Sequence, residues 1–351
     1  MPVYINELET AVPAHDIHQK FVEYAPRLLS DAKAQAALKR LAARGQIEHR
    51  YSVFKPHPAE HFLDEGGFYS FGRKADTQDR MELYARHALP LAKEAIGRLH
   101  IGNVTHILVT TCTGFYAPGI DIEILNLFNL DPSVERTIVG FMGCYAAINA
   151  LKLAYHIVNA DTLARVLILN LELCTLHLKL DASIEDLIPF LIFADGCAAS
   201  LVSSEPHGLH LESFRSSLIP QSMDQIKWSV GNHGFDMVLS SQVPAAIASC
   251  LPDKIDSLLD GIQKQDVAHW AIHPGGRGVL DAVRLSLGLE EFSMAYSRNI
   301  LKNFGNMSSA TIMFVLKEIM QSTEAGPGLA IAFGPGIAIE SMRFSHAGGA
   351  S

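Results

Sequence analysis

From Asp79 onward the chain alternates short β-branched runs with helical stretches, and this alternation limits the fold more than any other feature of the sequence. A helical pattern over 79–100 is followed by a strand at 105–111, a helix over 118–128 and a strand at 137–141. A helix after Cys144, a strand at 165–171, an apolar run at 198–203, a helix over 244–263 and a strand at 269–272 come next. Helical patterns near 276–287 and 308–320 and two strands around Gly334-Pro335-Gly336 complete the series. Strands separated by helices of about 10–15 residues predict βαβ units and a largely parallel, buried sheet. Upstream, a strand is expected at 3–12 and a helical pattern over 16–44, broken by Pro26 and ended by Gly45. The Pro- and Gly-containing segment from His57 to Gly72 reads as loop.

A faint internal repeat runs through this series. Val104–Thr110 resembles Val267–His273, Phe193–Ser200 parallels Phe333–Ile339, and the junction at Cys144 has a counterpart at Asn303–Ala310, which also opens an apolar helix. Two α/β halves, residues 1–205 and 206–351, would then pack about a pseudo-twofold axis. Chance similarity between apolar strands is the competing account.

The chain has 48% hydrophobic and 19% charged residues over 351 positions, the composition of a globular protein with a large core. A net charge of −9 argues against a nucleic-acid surface. Five cysteines in no paired or metal-type spacing, no basic-then-apolar leader and no run of 18 apolar residues predict a reduced, soluble, cytoplasmic protein without a membrane span. His57 and His61 are four apart, but Pro58 disrupts the helical face a metal pair would need, so no metal is expected.

Cys144 falls where a β-branched run ends and a helix begins. Unpaired N–H groups and the positive helix end there favour thiolate, which makes Cys144 a candidate nucleophile. The alternative is a small buried residue at a tight crossing. If the halves pack about their axis, Cys144 meets His273, exposed by the turn Pro274-Gly275-Gly276, and Asn306, which follows Gly305. A thiol, an imidazole and an amide supply a nucleophile, its proton partner and two hydrogen-bond donors. Taken singly, His273 could be a turn residue and Asn306 a neighbour of a helix cap.

Thr111-Cys112-Thr113-Gly114, Ala117-Pro118-Gly119, Gly143-Cys144, Glu172, Phe193-Ala-Asp-Gly196, His273-Pro-Gly-Gly276, Gly305-Asn-Met-Ser-Ser-Ala310 and Gly334-Pro-Gly336 follow one another in a familiar order and spacing. In this the chain resembles the type III polyketide synthases, chalcone-synthase-like enzymes of the thiolase superfamily, over about residues 47–343. The resemblance implies a five-layered αβαβα fold, a homodimer, and iterative decarboxylative Claisen condensation using coenzyme A thioesters and no further cofactor. It implies that Cys144 carries the acyl chain, paired as thiolate with His273 as imidazolium. His273 and Asn306 would hold the malonyl thioester oxygen. It places Phe193 as a gate with Met237 at the second gate position, Arg50 near the coenzyme phosphates, Ser308 on the cavity wall and Gly334-Pro335-Gly336 on its floor. Glu172, Cys112 and Cys174 complete the pocket.

Departures from the plant pattern bear on substrate. Thr113, Ala117 and Cys174 stand where plant enzymes have serine, methionine and threonine, as in bacterial members that accept long acyl chains. The expected reaction is extension of a medium- to long-chain acyl-CoA by malonyl-CoA to an alkylpyrone or alkylresorcinol. The rivals are a malonyl-CoA-only tetrahydroxynaphthalene-type synthase, a fatty-acid-initiating ketoacyl-carrier-protein synthase, a cysteine hydrolase and a non-catalytic acyl-binding scaffold.

Overall fold

The computed structural model describes residues 1–70, 73–179 and 183–349. Phe71 and Gly72, at the end of the expected 57–72 loop, and residues 350–351 of the second half lie outside the described residues. Eleven strands frame the fold: β1 (Val3–Ala11), β2 (His106–Thr111), β3 (Glu135–Gly140), β4 (Val166–Leu173), β5 (Asp195–Ser203), β6 (Leu209–Leu218), β7 (Ile226–Gly231), β8 (Gly234–Leu239), β9 (His269–Ile272), β10 (Gly326–Gly334) and β11 (Ala338–His346). The main helices are α1 (Thr77–Ile96), α2 (Ile120–Leu127), α3 (Ala146–Ala160), α4 (Val243–Leu259), α5 (Arg277–Leu287) and α6 (Thr311–Met320).

Nine strands join in the order β9-β10-β11-β6-β1-β5-β4-β2-β3, while β7 and β8 form a separate hairpin. On either side of the β1–β6 ladder the same pattern recurs. β2 runs parallel to β4, β4 antiparallel to β5 and β5 antiparallel to β1; β9, β10, β11 and β6 repeat those relations. β1 and β6, equivalent in the two halves, pair antiparallel through Val3, Tyr4 and Ile5, as a local two-fold axis requires. β3 has no equivalent in the second half. Asn306 therefore follows a helix, Ala295–Phe304, and not a strand.

The sheet is mixed, contrary to the largely parallel arrangement expected. β10 returns to β11 through only Pro335–Ile337, too short for the crossover a parallel neighbour needs. The 16–44 pattern resolves into His18–Tyr24, a 3-10 turn at Ala25–Leu28 and Ala32–Gly45, with Gln46 in the left-handed region at φ 57°. Pro26 starts the turn.

Three apolar clusters fill the spaces between five layers. α1 and α2 cover one face of β4 through Tyr84, Leu91 and Ile124 against Leu167, Leu169 and Leu171. α4 and α5 cover β9 and β10 on the far side, where Ile247 and Leu280 meet Trp270, Leu329 and Ile331. Between them α3 and α6 pack with Ile168 and Ala198 of one half and Ala330 and Met342 of the other. Alternate residues of one strand thus serve two interfaces, the period of two that a doubly covered sheet demands. α3 admits this with Ala146, Ala147, Ala150 and Ala154, all buried, because a sandwiched helix needs small side chains for close approach on more than one face. Each fully buried Leu or Ile in these layers contributes roughly 1.5–3 kcal/mol. None of the described helices is long and apolar enough to cross a membrane.

Candidate active site

The chain turns sharply between β3 and α3. Phe141 takes φ 60° and Gly143 φ 81°, and a Cβ on Gly143 would lie 2.3 Å from the Pro335 ring. Only glycine allows the Gly334-Pro335-Gly336 loop to close over this turn. The Gly143 N–H donates to Cys112 Sγ at 3.0 Å, which fixes the backbone beside Cys144. Cys144 lies two residues ahead of α3 and is half-buried. Burial pushes its thiol up to about 12; hydrogen bonds from Ser308 and Asn306 work in the opposite direction, and the Glu172 charge reinforces the rise.

His273 continues β9, its N–H bonded to Ile331 O at 2.8 Å, and is 1% exposed. Neither ring nitrogen has a partner. Burial lowers the imidazole to about 3, and no hydrogen bond joins it to Cys144. Burial thus opposes an isolated charge on either group, and a thiolate here would have the imidazolium as its partner.

Asn306 is held differently. Its Oδ1 accepts from Ser308 N at 2.8 Å and Thr311 Oγ1 at 3.2 Å. A backbone N–H cannot accept, so this bond identifies the oxygen and leaves Nδ2 as the free end. Nδ2 is turned to the Cys144 thiol and also lies 3.5 Å from Gly275 O, on the turn that follows His273. Ser308, at φ 48°, is a non-glycine residue in the left-handed region. The main chain ties this site to the first half: Ala194 N donates to Asn306 O and Asn306 N to Ile192 O, both at 2.9 Å, around Phe193. Gly305 is required here because a Cβ would lie 2.7 Å from both Arg50 Cγ and Ile192 O.

Glu172, wholly buried on β4, is surrounded by donors. Oε1 accepts from Ser309 Oγ at 2.6 Å, and Oε2 from Cys112 N and Thr113 Oγ1, each at 2.9 Å. Burial raises its carboxyl to about 7 against the pull of these bonds.

A cavity with largely apolar walls opens beside Cys144, which lines it. Cys112, Thr113, Cys174, Phe193, Met237, Ser308 and Pro335 line it. Of the expected substrate-binding residues, Arg50, Ala117, Glu172, Gly334 and Gly336 are not among those that line it. Ala117 sits on an exposed loop outside the cavity of its own chain. Arg50 is 1% exposed; its guanidinium donates to the carbonyls of Phe190 and Phe193 and to His18 Nδ1 at 2.9 Å. It holds this main chain from the protein interior, and a group so enclosed cannot face solvent-borne phosphates. Burial lowers it to about 9.

Sequence reasoning missed Ile226, Trp228, Pro189 and Phe190, which also line the cavity. The first two belong to the β7–β8 hairpin, where Trp228 pairs with Met237 and donates from Nε1 to Cys112 O at 2.8 Å. The apolar residues at 226 and 228, two apart, carried a strand signal that was not used. Also missed was a groove beyond Ile192, flanked by Arg44, Ser240, Gly275 and Arg277.

The descriptions "Chalcone and stilbene synthases, N-terminal domain" and "C-terminal domain" match residues 3–206 and 210–346. This chain belongs to that family. It is a type III polyketide synthase, an acyl-transferring enzyme of decarboxylative condensation. It is 32% identical over 361 aligned positions to "Alpha-pyrone synthesis polyketide synthase-like Pks18" of Mycobacterium tuberculosis, covering 97% of this chain and 90% of the relative. It is 31% identical to bisdemethoxycurcumin synthase of Oryza sativa subsp. japonica, covering 85% and 79%. The crystal structure of PKS-I from the brown alga Ectocarpus siliculosus superposes with a TM-score of 0.89 at 27% identity, covering 98% of each chain. Among the described residues of this synthase no group of three or more His, Cys, Asp or Glu could hold a metal ion.

Proposed function

We propose that this synthase extends a medium- to long-chain acyl-CoA with malonyl-CoA to an alkylpyrone or alkylresorcinol. Residues 1–205 supply the nucleophile, and residues 206–351 the imidazole and amide. Cys144 Sγ attacks the starter thioester carbonyl, its proton passes to His273, and coenzyme A leaves as the thiol. A malonyl thioester then places its carbonyl oxygen against Asn306 Nδ2 and His273. Loss of CO₂ leaves an enolate whose charge these donors stabilise, and its carbon displaces Cys144 in forming the new C–C bond. The steps balance without an oxidant or reductant, so the reading needs no cofactor beyond the thioester substrates.

The observation that carries this reading is Asn306, whose oxygen is anchored twice so that its NH₂ is the end turned to Cys144, beside an unpartnered imidazole. The apolar cavity walls and the relative named for α-pyrone synthesis support an alkyl starter. The coenzyme would lie in the groove beyond Ile192, with Arg44 and Arg277 at its phosphates in place of Arg50. Homodimer formation through the β3 edge accords with its exposure, Ile138 being 47% exposed.

The test is mass spectrometry of the protein and of small molecules after incubation with malonyl-CoA and C6 to C16 acyl-CoAs, with Cys144→Ala alongside. An acyl adduct on the wild type only, with triketide or tetraketide products, is expected. Consumption of malonyl-CoA alone to an aromatic, release of free acid alone, or a requirement for acyl carrier protein would each replace this reading by one of its rivals.

A further inference from the structure

Part of the cavity wall lies outside the main sheet. The β7–β8 hairpin, a sheet of its own, supplies Ile226, Trp228 and Met237 to the lining, the last two paired across the hairpin. Backbone pairing with the nine-stranded sheet therefore does not fix its distance from Cys144. Its tip is tied to the start of α1, where Thr77 N donates to Asn232 O and Gly234 N to Thr77 Oγ1, both at 3.0 Å. Lys179 pairs with Asp236 at 2.8 Å. Two side chains join the hairpin to the Cys112–Thr113 segment of the wall. One is Trp228, whose Nε1 donates to Cys112 O. The other is His177, which the reaction described above does not use.

His177 ends the 3-10 turn Cys174–His177 that follows β4, is wholly buried and is not among the residues that line the cavity. Its Nε2 lies 2.8 Å from Thr113 O and its Nδ1 3.0 Å from Phe235 N. A carbonyl only accepts and a backbone N–H only donates, so these partners fix the neutral tautomer with its proton on Nε2. Burial, which lowers this imidazole to about 3, keeps it neutral. The ring also stacks on Phe235, with centroids 4.2 Å apart and planes at 13°, and meets Trp228 edge-on at 5.4 Å. The Thr113 hydroxyl in turn donates to Glu172, and the neighbouring Cys112 Sγ accepts from Gly143 N beside Cys144. One imidazole thus links the detached hairpin to the backbone that carries the nucleophile.

We infer that His177 is a positioning residue for the condensation: by bridging Thr113 O and Phe235 N–H it sets where Trp228 and Met237 stand relative to Cys144, and so how the acyl chain is held. The inference rests on the acyl-CoA reading above. Apolar packing alone lets a wall slide, whereas two directional bonds to one rigid ring define a position. Misplacement by about 1 Å at a distance from the reacting atoms can cost as much as about 10²-fold in rate.

The experiment compares the wild type with His177→Phe, His177→Asn and His177→Gln, using octanoyl-CoA and malonyl-CoA. Phenylalanine keeps the ring and its stack but neither bond; asparagine keeps an acceptor for Phe235 N–H, and glutamine a donor for Thr113 O. KM for the starter should rise about fivefold or more in His177→Phe, the mark of lost binding, and by less in the other two. The ratio of triketide to tetraketide products should shift in the same order. Release of CO₂ from malonyl-CoA without a starter, which draws on His273 and Asn306, should be unchanged per folded molecule. The asparagine and glutamine variants keep the test open if His177→Phe does not fold. A purely structural role would lower the unfolding temperature and leave KM and the product ratio of the folded fraction as in the wild type, and that result overturns the inference. So does a fall in CO₂ release that parallels the rise in KM. If no acyl-CoA of any length labels Cys144 in the wild type, it is the acyl-CoA reading that fails.

Discussion

Glu172 and the pair His273–Asn306 are both buried polar groups at one cavity, yet the protein treats them in opposite ways. Every oxygen of Glu172 is engaged by Ser309, Cys112 or Thr113. His273 has no partner on either nitrogen, and the NH₂ of Asn306 meets only the Cys144 thiol and, at 3.5 Å, Gly275 O. A saturated buried group stabilises structure, whereas an unsaturated one carries a cost that a ligand can relieve. On the proposed function, the difference separates a group that holds the site's frame from the groups that would meet the substrate.

Changing the unsaturated side should have the largest effect. Asn306→Asp preserves the Oδ1 acceptor for Ser308 and Thr311 but replaces the free donor by an acceptor. Decarboxylation of malonyl-CoA should fall by about 10²–10³ or more, the cost of one lost oxyanion donor. Thermal unfolding should change little. A similar fall in Glu172→Gln would erase the distinction.

Next in size is Arg50→Met, which strips the donors that hold the Phe190 and Phe193 carbonyls. Breaking such a buried hydrogen-bonded cation should cost about 3–5 kcal/mol in denaturant unfolding. Arg44→Ala should leave stability alone and raise KM for the acyl-CoA several-fold with kcat unchanged, the mark of lost uniform binding. The reverse pattern would restore Arg50 as the phosphate residue.

The saturated side is best sharpened by pH. Burial pushes the Glu172 carboxyl up to about 7 from an ordinary 4.5, so between those values the folded state binds more protons than the unfolded. Its contribution is present below about pH 4.5 and is lost as pH rises towards 7, a few kcal/mol at most. His273, lowered by burial, has the opposite sign, gaining stability from about pH 3 up to 6.5. The stability difference between wild type and Glu172→Gln should therefore shift against the wild type over pH 4.5–7. A flat difference would mean that the hydrogen bonds fully offset burial. The smallest and simplest check is Cys144 alkylation by iodoacetamide, whose rate should rise through pH 8–9 without a plateau below pH 7. A plateau there would show the thiolate–imidazolium pair.

The sequence carried the β2–α3–β4 core and the second-half strand at His269–Ile272 because buried strands and small-residue helices leave strong periodic signals. The internal repeat was legible for β2 and β9, and its equivalent strands do take equivalent places in the sheet. The direction of β5 and β11 was not legible, since it depends on turns whose apolar flanks look the same either way. Cys144, His273 and Asn306 stood out by residue type at Gly-rich junctions, whereas Phe190 and Trp228 looked like ordinary core residues. Arg50 was misplaced because a basic residue near a loop gives no sign of being enclosed by carbonyls.

The most direct test of the whole account separates the two half-reactions by following CO₂ release from malonyl-CoA in Cys144→Ala and in Asn306→Asp. The account predicts continued CO₂ release without condensation in Cys144→Ala, and loss of CO₂ release in Asn306→Asp while Cys144 remains open to acylation by the starter. Loss of decarboxylation in Cys144→Ala together with its survival in Asn306→Asp would contradict it.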